Sequence, residues 1–219
     1  LLMTRRFTDL AGRKATIRKV WGDERVSYTV SSELFPNLPE VKLSFRCGGF
    51  SQVHYRQNAA LIDTVLDWAD LRGTERVLDL FCGNGNFSLS AARLCGEVVG
   101  IEDFAQSIED AVTNARVNGI SNARFYSMSA EKGLRNLTES GERFDVVLLD
   151  PPRTGAMEAV RLIAGTAPEK ILYVSCDPPT LARDVAELGK QGYRVAATRV
   201  VDMFPQTYHI ESVTLLLKS

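Results

Sequence analysis

From Tyr55 onward the chain alternates between two textures: apolar residues at helical spacing, and short unbroken apolar runs. Ile62, Val65 and Leu66 place a helix over Ala59–Ala69, and Arg76-Val-Leu-Asp-Leu-Phe81 reads as a buried strand. The same pairing recurs. Helices are expected over 87–94, 105–118, 130–137, 156–164 and 181–191, and strands over 97–102, 123–126, 144–150 and 171–175. Two more strands, 194–201 and 212–218, close the chain with no long helix between them. Repeated β-α units predict an α/β fold whose mainly parallel sheet is covered on both faces, and the final strand pair predicts an antiparallel edge.

The first 49 residues have a different pattern. Alternating runs at Lys14–Val20 and Arg25–Val30, separated by Gly22-Asp23 and followed by Pro36 and Pro39, read as a small β element. It has too few apolar residues for a core of its own, so it either packs on residues 50–219 or is the remainder of a larger domain. Arg5, Arg6, Arg13, Lys14, Arg18 and Lys19 are opposed within the first twenty residues only by Asp9. The cluster reads first as a solvated charged face and second as a phosphate contact.

Composition narrows the class. A 45% hydrophobic and 24% charged content excludes a disordered chain. No apolar run approaches the roughly 20 residues of a membrane span, and Leu1-Leu-Met-Thr-Arg-Arg6 lacks the form of a signal peptide, so a cytoplasmic location without membrane attachment is expected. Cys47, Cys82, Cys95 and Cys176 form no Cys-x-x-Cys pair, which suggests neither a disulfide framework nor zinc. With His54 and His209 the only histidines, no catalytic metal is expected. A net charge of −1 gives no global nucleic-acid signature.

Asp79-Leu-Phe-Cys-Gly-Asn-Gly-Asn86 follows the first strand of the alternating region and opens a helix. Gly83 and Gly85 let the backbone turn tightly and approach a ligand, and the next strand ends in Glu102, an acid able to accept hydrogen bonds from both ribose hydroxyls. A dinucleotide enzyme would carry a third glycine near Leu89. Its absence, with the Asp-x-x-x-Gly-x-Gly spacing, favours an S-adenosylmethionine methyltransferase over a dehydrogenase. Asp150-Pro-Pro-Arg153 ends the fourth strand, either where such enzymes position the group to be methylated or as a simple turn.

In Val174-Ser-Cys-Asp-Pro-Pro-Thr-Leu-Ala-Arg-Asp184 the apolar run Lys170–Val174 stops and Pro178-Pro179 opens a helix, which puts Cys176 at the carboxyl edge of the sheet. Ligands of open α/β sheets bind there. The position suits a nucleophile, and equally a small buried thiol.

Together these segments resemble the RNA 5-methyluridine methyltransferase family, from about Phe50 to the C-terminus. The resemblance rests on Phe50-Ser-Gln-Val53, Asp79–Phe87, Leu149-Asp-Pro-Pro-Arg153, Val174–Asp184 and Asp202-Met-Phe-Pro-Gln-Thr-Tyr-His-Ile-Glu211. It implies a Rossmann-like class I methyltransferase sheet over 50–219, with S-adenosylmethionine as methyl donor and RNA as partner, ribosomal RNA before transfer RNA. Cys176 would be the nucleophile and Glu211 the base. Gln52, Phe81, Asn86, Glu102, Ser129 and Asp150, around the turn at Gly83 and Gly85, would contact the cofactor. The chain departs from the family pattern at His54, where asparagine is usual, and at Ser129, where a longer polar side chain is common. Relatives usually carry an N-terminal RNA-binding barrel and a larger central domain, and some hold an iron–sulfur cluster. The chain is therefore expected to be a C-terminal catalytic piece without a cluster, with a naturally short enzyme as the alternative, and no obligate protein partner is expected.

The implied chemistry explains the residue types. Carbon 5 of uracil is a poor nucleophile, so a thiolate adds to carbon 6 and the resulting enolate attacks the methyl group. Arg153 or Arg183 is expected to lower the Cys176 pKa, and partial burial to raise that of Glu211. Phe50 or Phe204 would hold the unstacked base or its neighbours, with Phe204 more plausibly a core residue. Two alternatives stand beside this reading: an RNA cytosine-5 methyltransferase, and a noncatalytic RNA- or cofactor-binding module.

Overall fold

The computed structural model describes residues 22–219 together with two short strands, β1 (Phe7–Thr8) and β2 (Lys14–Ala15), which pair antiparallel. Apart from those strands, the expected strand over 14–20 and the side chains of the N-terminal cation cluster lie outside the described residues. The Arg25–Val30 run forms β3, and its partner is β4 (Val41–Arg46), which the sequence pattern does not announce. Val41, Leu43 and Phe45 do alternate with polar residues, but Pro36 and Pro39 mark that stretch as a turn.

The hairpin packs on the α/β region. Val30, Val41 and Leu43 are buried in one core with Leu61, Ile62 and Val65 of α1 (Tyr55–Ala69). It is also fastened to α3 (Ala105–Val117), where the buried Asp110 carboxylate accepts from Arg25, from the Arg46 guanidinium and from the Arg46 backbone N–H. Few carboxylates are buried unless paired in this way.

The remaining elements are β5 (Arg76–Leu80), α2 (Ser88–Ala91), β6 (Glu97–Glu102), β7 (Ala123–Ser127), α4 (Ala130–Glu139), β8 (Val146–Leu149), α5 (Met157–Ile163), β9 (Lys170–Ser175), α6 (Pro178–Lys190), β10 (Tyr193–Val201) and β11 (Glu211–Lys218). The main sheet has the order β10-β11-β9-β8-β5-β6-β7. β7, β6, β5, β8 and β9 run parallel, and β11 pairs antiparallel with both β9 and β10. The expected parallel sheet with an antiparallel C-terminal edge is what forms. Alternate residues face opposite layers: Val77, Val98, Leu148, Leu172 and Val213 pack under α1, α2 and α3, while Leu78, Val99, Val147, Ile171 and Leu216 pack under α4, α5 and α6. Two-sided burial is why these strands read as unbroken apolar runs.

The helix boundaries differ from the periodicity most at α1 and α2, and α6 starts three residues early, at Pro178. α1 starts at Tyr55, ahead of Ala59, because His54 caps it: the imidazole Nδ1 accepts from the Gln57 backbone N–H at 3.3 Å. α2 is only four residues long, shorter than 87–94, and gives way to turns.

Candidate active site

β5 is the strand from which the chain leaves first toward β6 and β7 and later, by way of β8, toward β9. The gap between the loops after β5 and β8 is therefore the topological switch point, where open α/β sheets take their ligands. Leu80 pairs with Leu149, so Phe81 and Asp150 emerge side by side. A recess opens there, lined by residues from Phe50 to Gln52, by Phe81 to Asn84, and by Asn86, Phe87 and Asp150. It brings together Gln52, Phe81, Gly83, Asn86 and Asp150, which are scattered along the sequence.

The turn forming the recess is conformationally special. Phe81 has φ of 64°, a left-handed backbone that a bulky residue adopts only under constraint. The constraint is a pair of hydrogen bonds to one acceptor: the N–H groups of Phe81 and Cys82 both donate to the Ile101 carbonyl, at 2.8 and 3.1 Å. At Gly85, φ is 90° and a Cβ would stand 3.0 Å from the Leu89 side chain, so both backbone and packing require glycine. Glu102 reaches into the turn, with Oε2 accepting from the Gly83 N–H at 3.3 Å and Oε1 from the Phe104 N–H at 2.8 Å.

The side chains expected around the cofactor are already engaged in distinct ways. Gln52 donates through Nε2 to Asp150 Oδ2 at 3.3 Å, which closes one wall of the recess. The Asn86 amide makes a reciprocal pair with Asn58 of α1, both bonds being 2.9 Å, so it braces the turn from behind. Ser129 does not line the recess; its hydroxyl caps α4 by accepting from the Lys132 N–H.

The acid that opens the Asp-x-x-x-Gly-x-Gly motif, though not among the expected cofactor contacts, lies under this turn. Asp79, on β5, is fully buried, accepts from the Ser88 hydroxyl at 2.5 Å, and leaves Oδ1 without a partner. Burial raises its pKa to about 7. A signal for it exists in the sequence, since a lone acid inside an apolar strand requires an explanation.

Cys176 and Glu211 lie outside the recess, beyond Asp150 along the same sheet edge. β9 ends at Ser175, and Ser212 pairs with Ser175, so the register continued by one residue sets Glu211 across from Cys176. The Ser212 hydroxyl also donates to the Ser175 carbonyl at 3.3 Å. Burial holds the Glu211 carboxyl up at about 7, with Arg153 pulling the other way, in the direction expected from sequence.

The thiol behaves differently from the sequence expectation. Cys176 is held above its ordinary pKa, first by burial and then by the negative charges of Glu211 and Asp150, and Arg153 opposes this without prevailing. Arg183 is turned elsewhere: its guanidinium bonds Asp184 and the Thr154 carbonyl. Asp150 is likewise pushed well above the usual carboxylate range by burial, with Glu211 and Asp79 adding to it. Asp79, Asp150 and Glu211 thus raise one another along this stretch of sheet edge or are raised by burial, and Arg153 partly offsets the effect at Glu211.

The loop carrying Arg153 is held by Asp184 of α6, which is fully buried. One oxygen, Oδ2, accepts from the Ala156 N–H at 2.6 Å and the Tyr173 hydroxyl at 2.7 Å; the other, Oδ1, receives Arg183. Asp177 caps α6 by accepting from the Thr180 N–H. Phe50 is 69% exposed at the mouth of the recess, whereas Phe204 is half-buried against the core, in line with the sequence reading. Among the described residues no three His, Cys, Asp or Glu side chains gather as metal ligands would, and no helix is long and apolar enough to cross a membrane.

The model of the tRNA (uracil-5-)-methyltransferase family matches residues 38–219. The chain belongs to this family. The match takes in β4, which the resemblance drawn from about Phe50 left out. A family relative, the 23S rRNA (uracil(1939)-C(5))-methyltransferase RlmD of Photobacterium angustum, is 40% identical over 196 residues, 90% of this chain and 89% of that protein. The RlmD of Pseudomonas aeruginosa strain UCBPP-PA14 is 46% identical over 176 residues, covering 80% of this chain but only 39% of that protein. Among solved structures, the Pyrococcus abyssi tRNA (uracil-54, C5)-methyltransferase in complex with S-adenosyl-L-homocysteine superposes with a TM-score of 0.75 at 30% identity, over 93% of this chain and 47% of that one. The chain thus spans less than half the length of several family members.

Proposed function

We propose that the chain is an S-adenosylmethionine-dependent RNA methyltransferase that forms 5-methyluridine, with Cys176 as nucleophile and Glu211 as general base. The observation that carries this reading is the placement of Cys176 just past the end of β9 and of Glu211 at the start of the antiparallel β11, one residue beyond the Ser175–Ser212 pair and beside the recess at the switch point. Ribosomal RNA is the favoured substrate class, because the relatives at 40% and 46% identity are named for it, whereas the transfer RNA enzyme is 30% identical.

The recess suits the methyl donor. Gly83 and Gly85 clear the backbone, Glu102 stands where ribose hydroxyls would donate, and the unpartnered Asp79 Oδ1 leaves an acceptor beneath the turn. The donor supplies an electrophilic methyl group to carbon 5 of uracil. The chain's own groups do the remainder. Cys176 loses its proton and adds to carbon 6, which makes carbon 5 nucleophilic; after transfer Glu211 takes the carbon 5 proton, and the carbon 6 to sulfur bond breaks. A carboxyl near neutrality accepts that proton more readily than an exposed glutamate would. Asp150, held by Gln52 at the junction of the two halves, marks where methyl donor and base meet.

Tritium release from ribosomal and transfer RNA transcripts labelled at carbon 5 of uridine tests the reading. Release is expected with the parent and S-adenosylmethionine, and not with Cys176→Ala; intact release by that variant would reject Cys176 as nucleophile. If label is released only from cytidine-labelled RNA, the cytosine-5 alternative holds. Glu102→Ala is expected to weaken S-adenosylmethionine binding by roughly 10- to 100-fold, the loss of a hydrogen-bonded charged partner. Isothermal titration with the methyl donor alone checks this, and unchanged affinity would remove Glu102 from the cofactor site.

A further inference from the structure

Arg153 is exposed, and a free arginine side chain samples many rotamers, with about 2 kcal/mol of rotamer entropy to lose on being fixed. Here both its ends are engaged. Its backbone carbonyl accepts from the Thr180 hydroxyl at 3.2 Å, and its Nη2 lies 3.2 Å from each ring nitrogen of His209. His209 is itself confined by two aromatic neighbours. Phe204 meets it edge-on, with ring centroids 5.7 Å apart, and Tyr208 lies tilted against it at 4.1 Å. Its backbone N–H donates to the Thr207 hydroxyl. His209 is two residues before Glu211, so this aromatic stack stands at the entrance to β11.

We propose that His209 is a positioning residue for the methyl-transfer reaction: its ring, fixed by Phe204 and Tyr208, holds the Arg153 guanidinium beside Cys176 and Glu211. This rests on the reading of Cys176 as nucleophile. Without a fixed arginine, the charged groups facing the thiol are Glu211 from β11 and Asp150 from the loop after β8, both acidic and both opposed to forming a thiolate. Among the described residues the arginine is the cation acting in the other direction, and it acts only while it stays close. A ring nitrogen that accepts from it converts a mobile surface charge into a fixed one.

The test is the pH profile of Cys176 alkylation by iodoacetamide, followed by peptide mass spectrometry so that the other cysteines do not contribute. It needs no RNA and no turnover. His209→Leu fills the space without an acceptor, and His209→Gln retains one. His209→Leu is expected to shift the profile upward, making alkylation at pH 7.5 roughly three- to tenfold slower, with His209→Gln close to the parent. Arg153→Ala should show the same shift, and the double variant no further one. The proposal is overturned if His209→Leu keeps the parental profile, if His209→Gln is as slow as His209→Leu, or if Arg153→Ala leaves the profile unmoved. Failure of the underlying assignment would appear separately, as tritium release that survives Cys176→Ala.

Discussion

Glu211→Gln is expected to stop turnover by at least ~10³-fold while leaving the covalent step in place, because a glutamine cannot take the carbon 5 proton. The carbon 6 to sulfur bond then has no route to break, and RNA should accumulate as a denaturant-resistant adduct on Cys176, visible as a shifted band in a denaturing gel. Turnover with no adduct would reassign the base. The same variant should be more stable than the parent, in one pH range only. Glu211 is held at about 7 in the folded chain, above its ordinary value of 4.5, so the folded state binds more protons between those limits. Its favourable contribution is complete below the ordinary value and is lost as pH rises through 7. At pH 8 the buried ionised carboxylate costs up to ~3 kcal/mol, which the neutral amide avoids. Thermal unfolding of Glu211→Gln should therefore occur at higher temperature than the parent at pH 8 and at a similar temperature at pH 5. Parental activity should rise with pH through about 7, since both the base and the thiol act in their ionised forms.

Asp184→Ala is expected to have the largest effect on stability, roughly 3–5 kcal/mol. Removing the buried acceptor leaves the Ala156 N–H and the Tyr173 hydroxyl unpaired inside the fold, at about 1–3 kcal/mol each, and takes a partner from the half-exposed Arg183. Asp184→Asn keeps an oxygen for the first two and should cost about 1.5–3 kcal/mol, the loss of the charge-assisted contact to Arg183. Urea unfolding of both variants measures the difference. A small effect from Asp184→Ala would mean that the loop from Asp150 to Ala156 holds its shape without α6.

The division between what the sequence discloses and what it withholds has physical causes. The inner strands of the main sheet, β5, β6, β8 and β9, are legible because burial on both faces makes them apolar runs, and Cys176 because its run stops abruptly just before two prolines. β4 is hidden by prolines just upstream. The start of α1 is hidden because a histidine caps it, a task more often given to asparagine, aspartate or serine. The direction of the Cys176 pKa escapes the sequence for a different reason. Arg153 and Arg183 are close in sequence to the motifs that matter, but only the folded chain discloses that Arg183 is bound to Asp184, and that Glu211 and Asp150 converge on the thiol. Asn86 and Ser129 show a similar limit: their positions are legible, but their commitments to Asn58 and to the α4 cap are tertiary facts.

The register between β9 and β11 acts as a gauge block for the chemistry. Residues directly opposite on antiparallel strands have Cα atoms about 4.5–5.5 Å apart, whatever the side chains. The ladder closes on Ser175 and Ser212, and the nucleophile and base that follow this pair by one residue on each side are placed for work on bonded neighbours of one flat ring, carbon 6 and carbon 5. A one-residue slip of β11 would carry Glu211 to the opposite face of the sheet and remove the base while leaving every catalytic residue intact. Here the tolerance of the reaction centre is the tolerance of a hydrogen-bond ladder, so the substrate must adjust to the protein.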